Sequence, residues 1–314
     1  MMNASDDSEA IRVLSSDCPM REQALRLIFS GEPHADSGVD QRIRAMADIV
    51  AAQGMNSDLL VATFRAGQPT EACLAIESPG RSAIVYVGPV CTTAAGPKFS
   101  VRLLRELQNQ AWQRDIALLQ AMVSPDETHL ERLFAEAGFR FLAELIYLDR
   151  VREMPVPSPR NLPQLELITY SQRHHDLFLC GLEQTYTETL DCAGLSGARR
   201  TEDVLASHRA TGRHDPSLWF LARIAGEPAG VLLLSPLRNR NVLEIVYIGV
   251  AHRFRRRGVG RALMHKCSDE TRARNVDGVT VAVDSVNTPA RMLYRNWGFA
   301  ESGRRRAWIA VRPS

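Results

Sequence analysis

The chain has 314 residues, of which 45% are hydrophobic and 24% are charged, so it is long enough to bury two separate cores. Its net charge of +2 and its pI near 8.3 are too small an imbalance to favour a nucleic-acid binder. No apolar run approaches the length needed to span a membrane, and the polar segment 1–7 does not resemble a signal peptide.

The six cysteines are scattered, with no C-x-x-C pair and no metal-ligand spacing. This pattern favours reduced thiols in a cytoplasmic protein that holds no metal. We therefore expect neither nucleic acid nor a membrane as a partner, and either a monomer or a homodimer.

The first half alternates between helical and strand patterns. Apolar residues at helical spacing predict helices near 24–29, 43–50, 101–111 and 127–136, and the last of these ends at Gly138. Apolar and β-branched runs predict strands at 59–64, 72–76, 84–90, 117–123 and 141–148, with a turn at 66–69 between the first two. The strand at 141–148 would close a first domain.

Prolines then interrupt the chain at Pro155, Pro157, Pro159 and Pro163, with few apolar residues between them. Such a composition is typical of a semi-rigid linker. We therefore predict one domain at 1–153, a Pro-rich linker at 154–164 and a second domain at 165–314.

The second half repeats the order of the first. The turn Gly67-Gln68-Pro69 returns as Gly226-Glu227-Pro228, an offset of 226 − 67 = 159 residues. Val85-Tyr86-Val87-Gly88 returns as Val246-Tyr247-Ile248-Gly249, an offset of 161, and Leu133-Phe134 with Gly138-Phe139 returns as Leu293-Tyr294 with Gly298-Phe299, an offset of 160. Three matches at nearly one offset indicate two copies of one fold in tandem.

A glycine loop follows the strand pattern at 245–250. The segment Arg255-x-x-Gly258-x-Gly260 leads at once into helical spacing from Arg261. Glycine tolerates positive φ and leaves room for a ligand, so the free N–H groups of this helix N-terminus predict a phosphate site. The arginines at 253–257, taken alone, are more typical of a solvated basic loop.

Two motifs together resemble the acetyl-CoA-binding core of the GCN5-related N-acetyltransferase (GNAT) superfamily. They are Arg255-x-x-Gly258-x-Gly260 and the later Asn287-x-x-Ala290-x-x-Leu293-Tyr294-x-x-x-Gly298-Phe299. The resemblance covers roughly residues 165–312, and the first half resembles a degenerate copy. It implies an α+β fold of two tandem GNAT-like acyl-CoA N-acyltransferase domains, each a mixed, mostly antiparallel sheet flanked by helices.

The same resemblance implies acetyl-CoA (coenzyme A) as co-substrate, with backbone groups near Ile248 and Val250 bonded to the pantetheine arm. The full set of cofactor-binding residues that it implies is Ile248, Val250, Arg255, Arg256, Arg257, Gly258, Val259, Gly260, Arg261 and Asn287. Asn287 also has a structural interpretation, in which Thr288 is the N-cap of a helix and Pro289 lies in its first turn.

Acyl transfer to an amine requires a base, because an alkylammonium with a pKa of about 10.4 is mostly protonated near neutral pH. Glu244 is the candidate: it stands six residues before Val250, at the start of the strand and on the same predicted face as Val246 and Ile248. In some branches of the family a glutamate at this place is the general base. The alternative is a structural ion pair with Arg238 or Arg240.

Tyr294 is the candidate general acid toward the departing thiolate. A phenol with a pKa of about 10 is a weak acid for this purpose, so its role is partly hydrogen bonding. The alternative is a core aromatic that packs with Leu293 and Phe299. Cys192 lies in a loop that by analogy faces the acceptor, but the sequence assigns it no role.

Together with these residues, the resemblance implies a direct transfer of an acetyl group from acetyl-CoA to a primary amine in the second domain. One alternative is a mycothiol-synthase-like small-molecule acetyltransferase, and another is an acyl-CoA-binding regulatory protein without turnover. In the first copy the segment 91–101 contains no Gly-x-Gly, and Phe134 stands where the second copy has Tyr294. A phenylalanine cannot donate a proton, so we expect one cofactor site per chain.

Overall fold

The computed structural model describes residues 10–30, 37–88, 96–195 and 197–313. By their internal contacts these residues form two units. The N-terminal unit comprises 1–141 and 307–314, and the C-terminal unit comprises 142–306.

The N-terminal unit contains strands on which four helices pack. In chain order its elements are β1 (Ala10–Leu14), α1 (Arg21–Ser30), α2 (Ser37–Ala52), β2 (Asn56–Arg65), β3 (Gln68–Ser78), β4 (Ser82–Val87), α3 (Gly96–Gln113), β5 (Leu118–Val123) and α4 (Thr128–Glu136). The strands run in the order β1-β2-β3-β4-β5, and every pair is antiparallel except β4 with β5. The helices α1 and α2 cover one core, and α3 and α4 cover the other.

The C-terminal unit starts within β6 (Arg140–Val151) and ends within β12. Its elements after β6 are β7 (Glu166–Thr169), α5 (His175–Tyr186), α6 (Thr201–Ala210), β8 (Trp219–Ile224), β9 (Glu227–Pro236), β10 (Val242–Val250), α7 (Val259–Ala273), β11 (Gly278–Asp284), α8 (Thr288–Asn296) and β12 (Ala300–Val311). The strand order is β6-β11-β10-β9-β8-β7, and β10 with β11 is the parallel pair.

Helices cover both faces of this second sheet. Leu243, Ile245 and Val281 share a core with α7 and α8. Val231, Leu233 and Tyr247 pack instead in a core with α5. Each unit is therefore a mixed, mostly antiparallel sheet flanked by helices, as predicted.

The tandem repeat is confirmed in detail. The turn after β2 holds Ala66 at φ +50° and Gly67 at +78°, and the turn after β8 holds Ala225 at +50° and Gly226 at +84°. In both copies the parallel pair is short, since Ser82–Ile84 pairs with 118–120 and Val242–Ile245 pairs with 278–281. The same local sequence thus gives the same local backbone twice.

The predicted closing strand of the first domain joins the other unit. From Leu142 onward β6 belongs to the C-terminal unit, where 145–151 pairs antiparallel with all seven residues of β11. Conversely, β12 belongs to the N-terminal unit from Ala307 onward. The two units therefore divide the chain at 141/142 and 306/307, whereas the sequence prediction placed its boundaries at 153 and 165.

The Pro-rich segment lies wholly within the C-terminal unit. Arg261, in the first turn of α7, donates to the carbonyl oxygens of Ser158 and Arg160, at 3.2 and 3.1 Å. Pro163 lies against Gly258, where a Cβ would meet its Cδ at 3.1 Å. These contacts fix the segment along the start of α7.

Within the described ranges, no helix is both long and apolar enough to cross a membrane. The same ranges bring no three His, Cys, Asp or Glu side chains together as a metal site. The five cysteines that the structure describes are free thiols, and Cys91 lies outside the described residues. The predicted strand end at 89–90 and the segment 91–95 also lie outside them.

Candidate active site

The sheet of the C-terminal unit opens between β10 and β11. The parallel pairing of these strands stops at Ile245, but β10 continues to pair with β9 as far as Val250. A bulge falls at Val246, because Ile245 pairs with Leu234 and Tyr247 already pairs with Leu233. Residues 247–250 therefore diverge from β11 and leave their backbone edge free for a ligand.

A cleft of about 880 Å³ occupies this opening. Its walls include Ile248 and Val250 of β10, Gly258 and Gly260 at the start of α7, and Tyr294 of α8. It thus brings together most of the residues that the two sequence motifs predicted. Of the predicted cofactor set, Arg257 alone is absent from its walls.

One end of the cleft is built to hold an anion. Gly258 is the N-cap of α7 at φ +83°, and no side chain caps this helix. The N–H groups of its first turn are therefore available to a ligand, and the helix dipole favours negative charge there. At Gly260 a Cβ would meet only Leu293 and Val250, at 3.6 and 3.7 Å, so the surface is open. A pyrophosphate fits this end by chemistry and by space.

The arginines of the motif have different tasks. Arg255 donates to the carbonyl oxygen of Val250 at 3.1 Å, and its other nitrogens donate to the carbonyl oxygens of Thr187 at 2.7 Å and Glu188 at 2.9 Å. It therefore ties the loop after α5 to the end of β10. Arg256 is exposed on the cleft wall, and Arg257 lies over the ring of Phe254, at 5.9 Å from its centroid.

Tyr294 is both a core residue and a cleft residue. Its ring is only 2% exposed and lies 5.3 Å from that of Phe299, measured between centroids. Burial raises the pKa of its hydroxyl, so the phenol keeps its proton. Within the described part of the chain, this hydroxyl forms no hydrogen bond. A buried donor without a partner at a cleft wall is suited to bind a ligand.

Asn287, and not Thr288, is the N-cap of α8. Its Oδ1 accepts from the N–H of Ala290 at 3.3 Å, and Pro289 follows in the first turn. Burial raises the pKa of the Asp191 carboxyl, and a hydrogen bond with the Asn287 side chain opposes part of this rise. The predicted N-cap at Thr288 is wrong because the amide side chain one residue earlier reaches the free N–H.

Glu244 does not share a face with Ile248. The bulge at Val246 adds one residue, so Ile248 packs with Leu243 and Ile245, on the face opposite to Glu244. Glu244 shares its face with Val246, and it is absent from the cleft walls. The predicted parity therefore fails beyond the bulge.

The surroundings of Glu244 leave its carboxylate unpaired. Arg240, a predicted partner, instead pairs with Asp149 at 3.4 Å. Across the described ranges, the side chain of Glu244 forms no ion pair or hydrogen bond, and burial raises the pKa of its carboxyl. The hydroxyl pKa of Tyr147 in β6 is raised mainly by burial and, to a lesser degree, by the negative charge of Glu244. A carboxylate with a raised pKa is a stronger base than an ordinary glutamate.

The sequence prediction missed Asp191. It lies on the cleft wall in the loop after α5, where its Oδ1 accepts from the N–H of Asp284 at 3.0 Å. Asp284 in turn accepts from the N–H of Cys192 at 3.1 Å. The only signal in the sequence was a polar loop that begins at Thr189, and such loops are common.

A sheet that opens beside a glycine loop at a helix N-terminus defines the class of fold known from acyl-CoA-dependent transferases. The model described as the acetyltransferase (GNAT) family matches residues 182–299. The predicted resemblance is thereby confirmed for residues 182–299, which lie in the C-terminal unit. This match includes the elements that line the cleft, namely the end of α5, β10, α7 and α8.

Known proteins resemble the chain in sequence and in fold. A mycothiol acetyltransferase of Beutenbergia cavernae is 38% identical over 106 residues, which is 33% of this chain and 35% of the relative. The match therefore spans about a third of that protein.

Two solved structures match almost the whole chain. A GCN5-related N-acetyltransferase from Sphaerobacter thermophilus superposes with a TM-score of 0.61 at 19% identity, over 98% of this chain and 96% of the other. A tandem GNAT protein from the clavulanic acid biosynthesis pathway superposes with a TM-score of 0.52 at 14% identity, over 98% and 100%. The predicted tandem GNAT fold is therefore confirmed.

Proposed function

We propose that this protein is an N-acetyltransferase that moves an acetyl group from acetyl-CoA directly to a primary amine in its C-terminal unit. The observation that carries the proposal is the uncapped N-terminus of α7 at Gly258, which opens onto the same cleft as the unpartnered hydroxyl of Tyr294. The family match to residues 182–299 supports an acetyl donor.

The cofactor-binding roles follow from the position of each group. The N–H groups of Val259 and Gly260 would hold the pyrophosphate, and the free edge of β10 at Ile248 and Val250 would hold the pantetheine arm. Arg255 and Arg261 act indirectly, because their guanidinium groups are engaged with protein carbonyls. Of the three arginines that the described residues place on the cleft wall, Arg256 is exposed and has no protein partner there, so it can contact a phosphate.

The reaction forms a bond from nitrogen to the acetyl carbon and breaks the bond from that carbon to sulfur. The ammonium proton must pass to a base, and the departing thiolate must gain a hydrogen bond or a proton. We assign the first task to Glu244, whose carboxyl pKa is raised by burial; because Glu244 does not line the cleft, it would receive the proton through a relay and not by direct contact with the amine. We assign the second to Tyr294, which stabilises the sulfur mainly by hydrogen-bond donation because its raised pKa disfavours full transfer.

The proposed reaction is compatible with an amine acceptor that is a small molecule and with one that is larger. The relative named mycothiol acetyltransferase favours a small-molecule acceptor, and mycothiol synthesis is a specific candidate for this chain. The match covers only 35% of that relative, so we propose the class of reaction and not this acceptor.

The experiment is a screen of primary amines with detection of free thiol released from acetyl-CoA. We expect release that depends on the acceptor, together with a calorimetric stoichiometry near one acetyl-CoA per chain. The stoichiometry follows from the first copy, in which Phe134 replaces Tyr294 and the space beside Ser100 and Leu104 is only about 10 Å³.

Two results would count against the proposal in different ways. Binding of acetyl-CoA without acceptor-dependent thiol release across the screen would favour a regulatory acyl-CoA-binding protein. Two binding events per chain would show that the N-terminal unit also holds the cofactor.

A further inference from the structure

The charges on the cleft wall are divided by sign. Cationic and basic side chains on the wall, His252, Arg255, Arg256 and Arg261, belong to the segment around the glycine loop. Among the residues that line the cleft, one carries a carboxylate: Asp191. A cleft made only to bind an anionic cofactor gains nothing from a carboxylate, since the negative charge repels phosphate.

Asp191 lies beside the reacting end of the cleft. Its charge raises the pKa of the hydroxyls of Tyr294 and Tyr247, in each case as a smaller effect than burial. The Tyr247 hydroxyl bonds that of Thr185 at 2.7 Å, so it has a protein partner. The Tyr294 hydroxyl has none in the described ranges, although its side chain is 2% exposed. A carboxylate and an unsatisfied hydroxyl thus face one volume.

The Asp191 carboxylate is fixed by hydrogen bonds and remains accessible to a ligand. Asp191 accepts from the N–H of Asp284 and from the side chain of Asn287, and its own N–H donates to Thr189 Oγ1 at 3.1 Å. The Asp284 carboxylate does not occupy the Asp191 carboxylate, because the two oxygens of Asp284 accept from the backbone N–H groups of Cys192 and Val286. Asp191 is nevertheless exposed to solvent within the concave wall, so a ligand can reach it.

The loop that carries Asp191 is fixed from the other side by Arg255. Its guanidinium bonds the carbonyl oxygens of Thr187 and Glu188, which stand four and three residues before Asp191. The position of the carboxylate is therefore set by the loop before α7, by the N-cap residue of α8 and by the end of β11 together. Such preorganisation lowers the entropic cost of binding.

We propose that Asp191 is the acceptor-recognition residue of this protein and that it binds the acceptor as a primary ammonium beside Tyr294. This inference rests on the proposed function and deepens it, because it names the charge that the acceptor carries on arrival and the group that selects it. Neutral amides, alcohols and anionic amines are selected against by the same carboxylate.

The test uses two coenzyme A thioethers of equal size, S-(3-aminopropyl)-coenzyme A and S-butyl-coenzyme A, in calorimetry with the full chain. Each carries the cofactor moiety, and they differ by a terminal ammonium in place of a methyl group. We expect the wild type to bind the ammonium compound about tenfold tighter or more, as a charge-assisted hydrogen bond predicts. In Asp191→Asn the two affinities should agree within about twofold.

Asp191→Asn keeps the oxygen that accepts from Asp284, so we expect the fold to survive. Asp191→Glu keeps the charge and should retain a preference for the ammonium. The matched control is Glu188→Gln, which removes an acidic side chain from the same loop; Glu188 itself does not line the cleft, although it pairs at 3.3 Å with His252, which does. It should leave the preference intact.

Equal affinities of the two thioethers in the wild type would overturn the inference, whatever the variants do. A preference that persists in Asp191→Asn would also overturn it. If neither thioether binds the wild type, the proposed function fails, which is a distinct result.

Discussion

The single hydroxyl of Tyr294 can be tested apart from the packing of its ring. Because this hydroxyl has no hydrogen-bond partner within the described ranges, Tyr294→Phe removes no interaction of the free protein. We expect kcat and kcat/KM to fall together by about 10²–10⁴-fold, the range for a positioned acid or hydrogen-bond donor. Steady-state kinetics with acetyl-CoA and the best amine of the screen measures this.

The companion measurement is thermal unfolding. We expect the same melting temperature within error, because the ring and its contact with Phe299 remain. A loss of stability with normal turnover would instead assign Tyr294 a purely structural role.

The sequence predicted those cleft residues that belong to a local motif. It missed those that reach the cleft through contacts between distant segments. Tyr294 and Gly258 stand at fixed spacing within recognisable motifs, and both lie on the cleft wall. The role proposed for Asp191 depends on its position, which is fixed in part by Asp284, 93 residues further along the chain. No local pattern marks such a pair, because each aspartate alone is a common loop residue.

The N-terminus of α7 gives a prediction at the scale of an element. Gly258→Ala forces a Cβ onto a residue at φ +83°, and Gly226→Ala does the same at +84° in the turn after β8. Each should lower the free energy of unfolding by about 1–2 kcal/mol. Only Gly258→Ala should also weaken acetyl-CoA binding, because its Cβ meets Pro163 and strains the positive-φ turn that presents the first N–H groups of α7 to the cleft. Calorimetry and chemical unfolding on both variants separate the two effects.

Equal acetyl-CoA affinity in the two variants would remove the phosphate role from this helix start. The Cβ of Gly258→Ala also contacts Pro163, so we expect this variant to lose more stability than the Gly226→Ala control.

The elements themselves were largely predictable, because hydrophobic period, glycine turns and proline positions report local backbone preference. The face of Glu244 was not. A bulge at Val246 inserts one residue into an unbroken apolar strand, and β-branched and aromatic residues look alike on either side of it. The error arose where strand pairing, and not composition, decides which face a side chain occupies.

For the whole molecule, the membership of β6 in the C-terminal unit has a direct test. A chain that begins at residue 140 keeps the strand that pairs with all of β11, and a chain that begins at 155 loses it. The shorter chain also loses the buried Arg150, whose Nε donates to the carbonyl oxygen of Trp297 at 2.7 Å. We expect cooperative unfolding by circular dichroism for 140–314 and none for 155–314.

If 155–314 unfolds cooperatively and binds acetyl-CoA as tightly as the full chain, β6 is dispensable and the predicted boundary at 153 describes the domain better. The prolines had suggested that boundary because they mark a break in regular structure. They could not show which sheet the preceding strand joins, since that depends on partners more than a hundred residues away.

Because the end of β12 belongs to the N-terminal unit, that unit cannot complete its fold until the last residues of the sequence are made. The N–H of Arg312 donates to the carbonyl oxygen of Ala117, and Ala310 lies in the core beneath α3. A ribosome that adds 5–20 residues per second needs roughly 10 to 40 s to pass from one to the other. During that interval the first unit waits on the ribosome with an incomplete core, while the second unit can already assemble. The half that is made first is thus the half that is finished last, so its apolar surface stays incompletely covered for longest during synthesis.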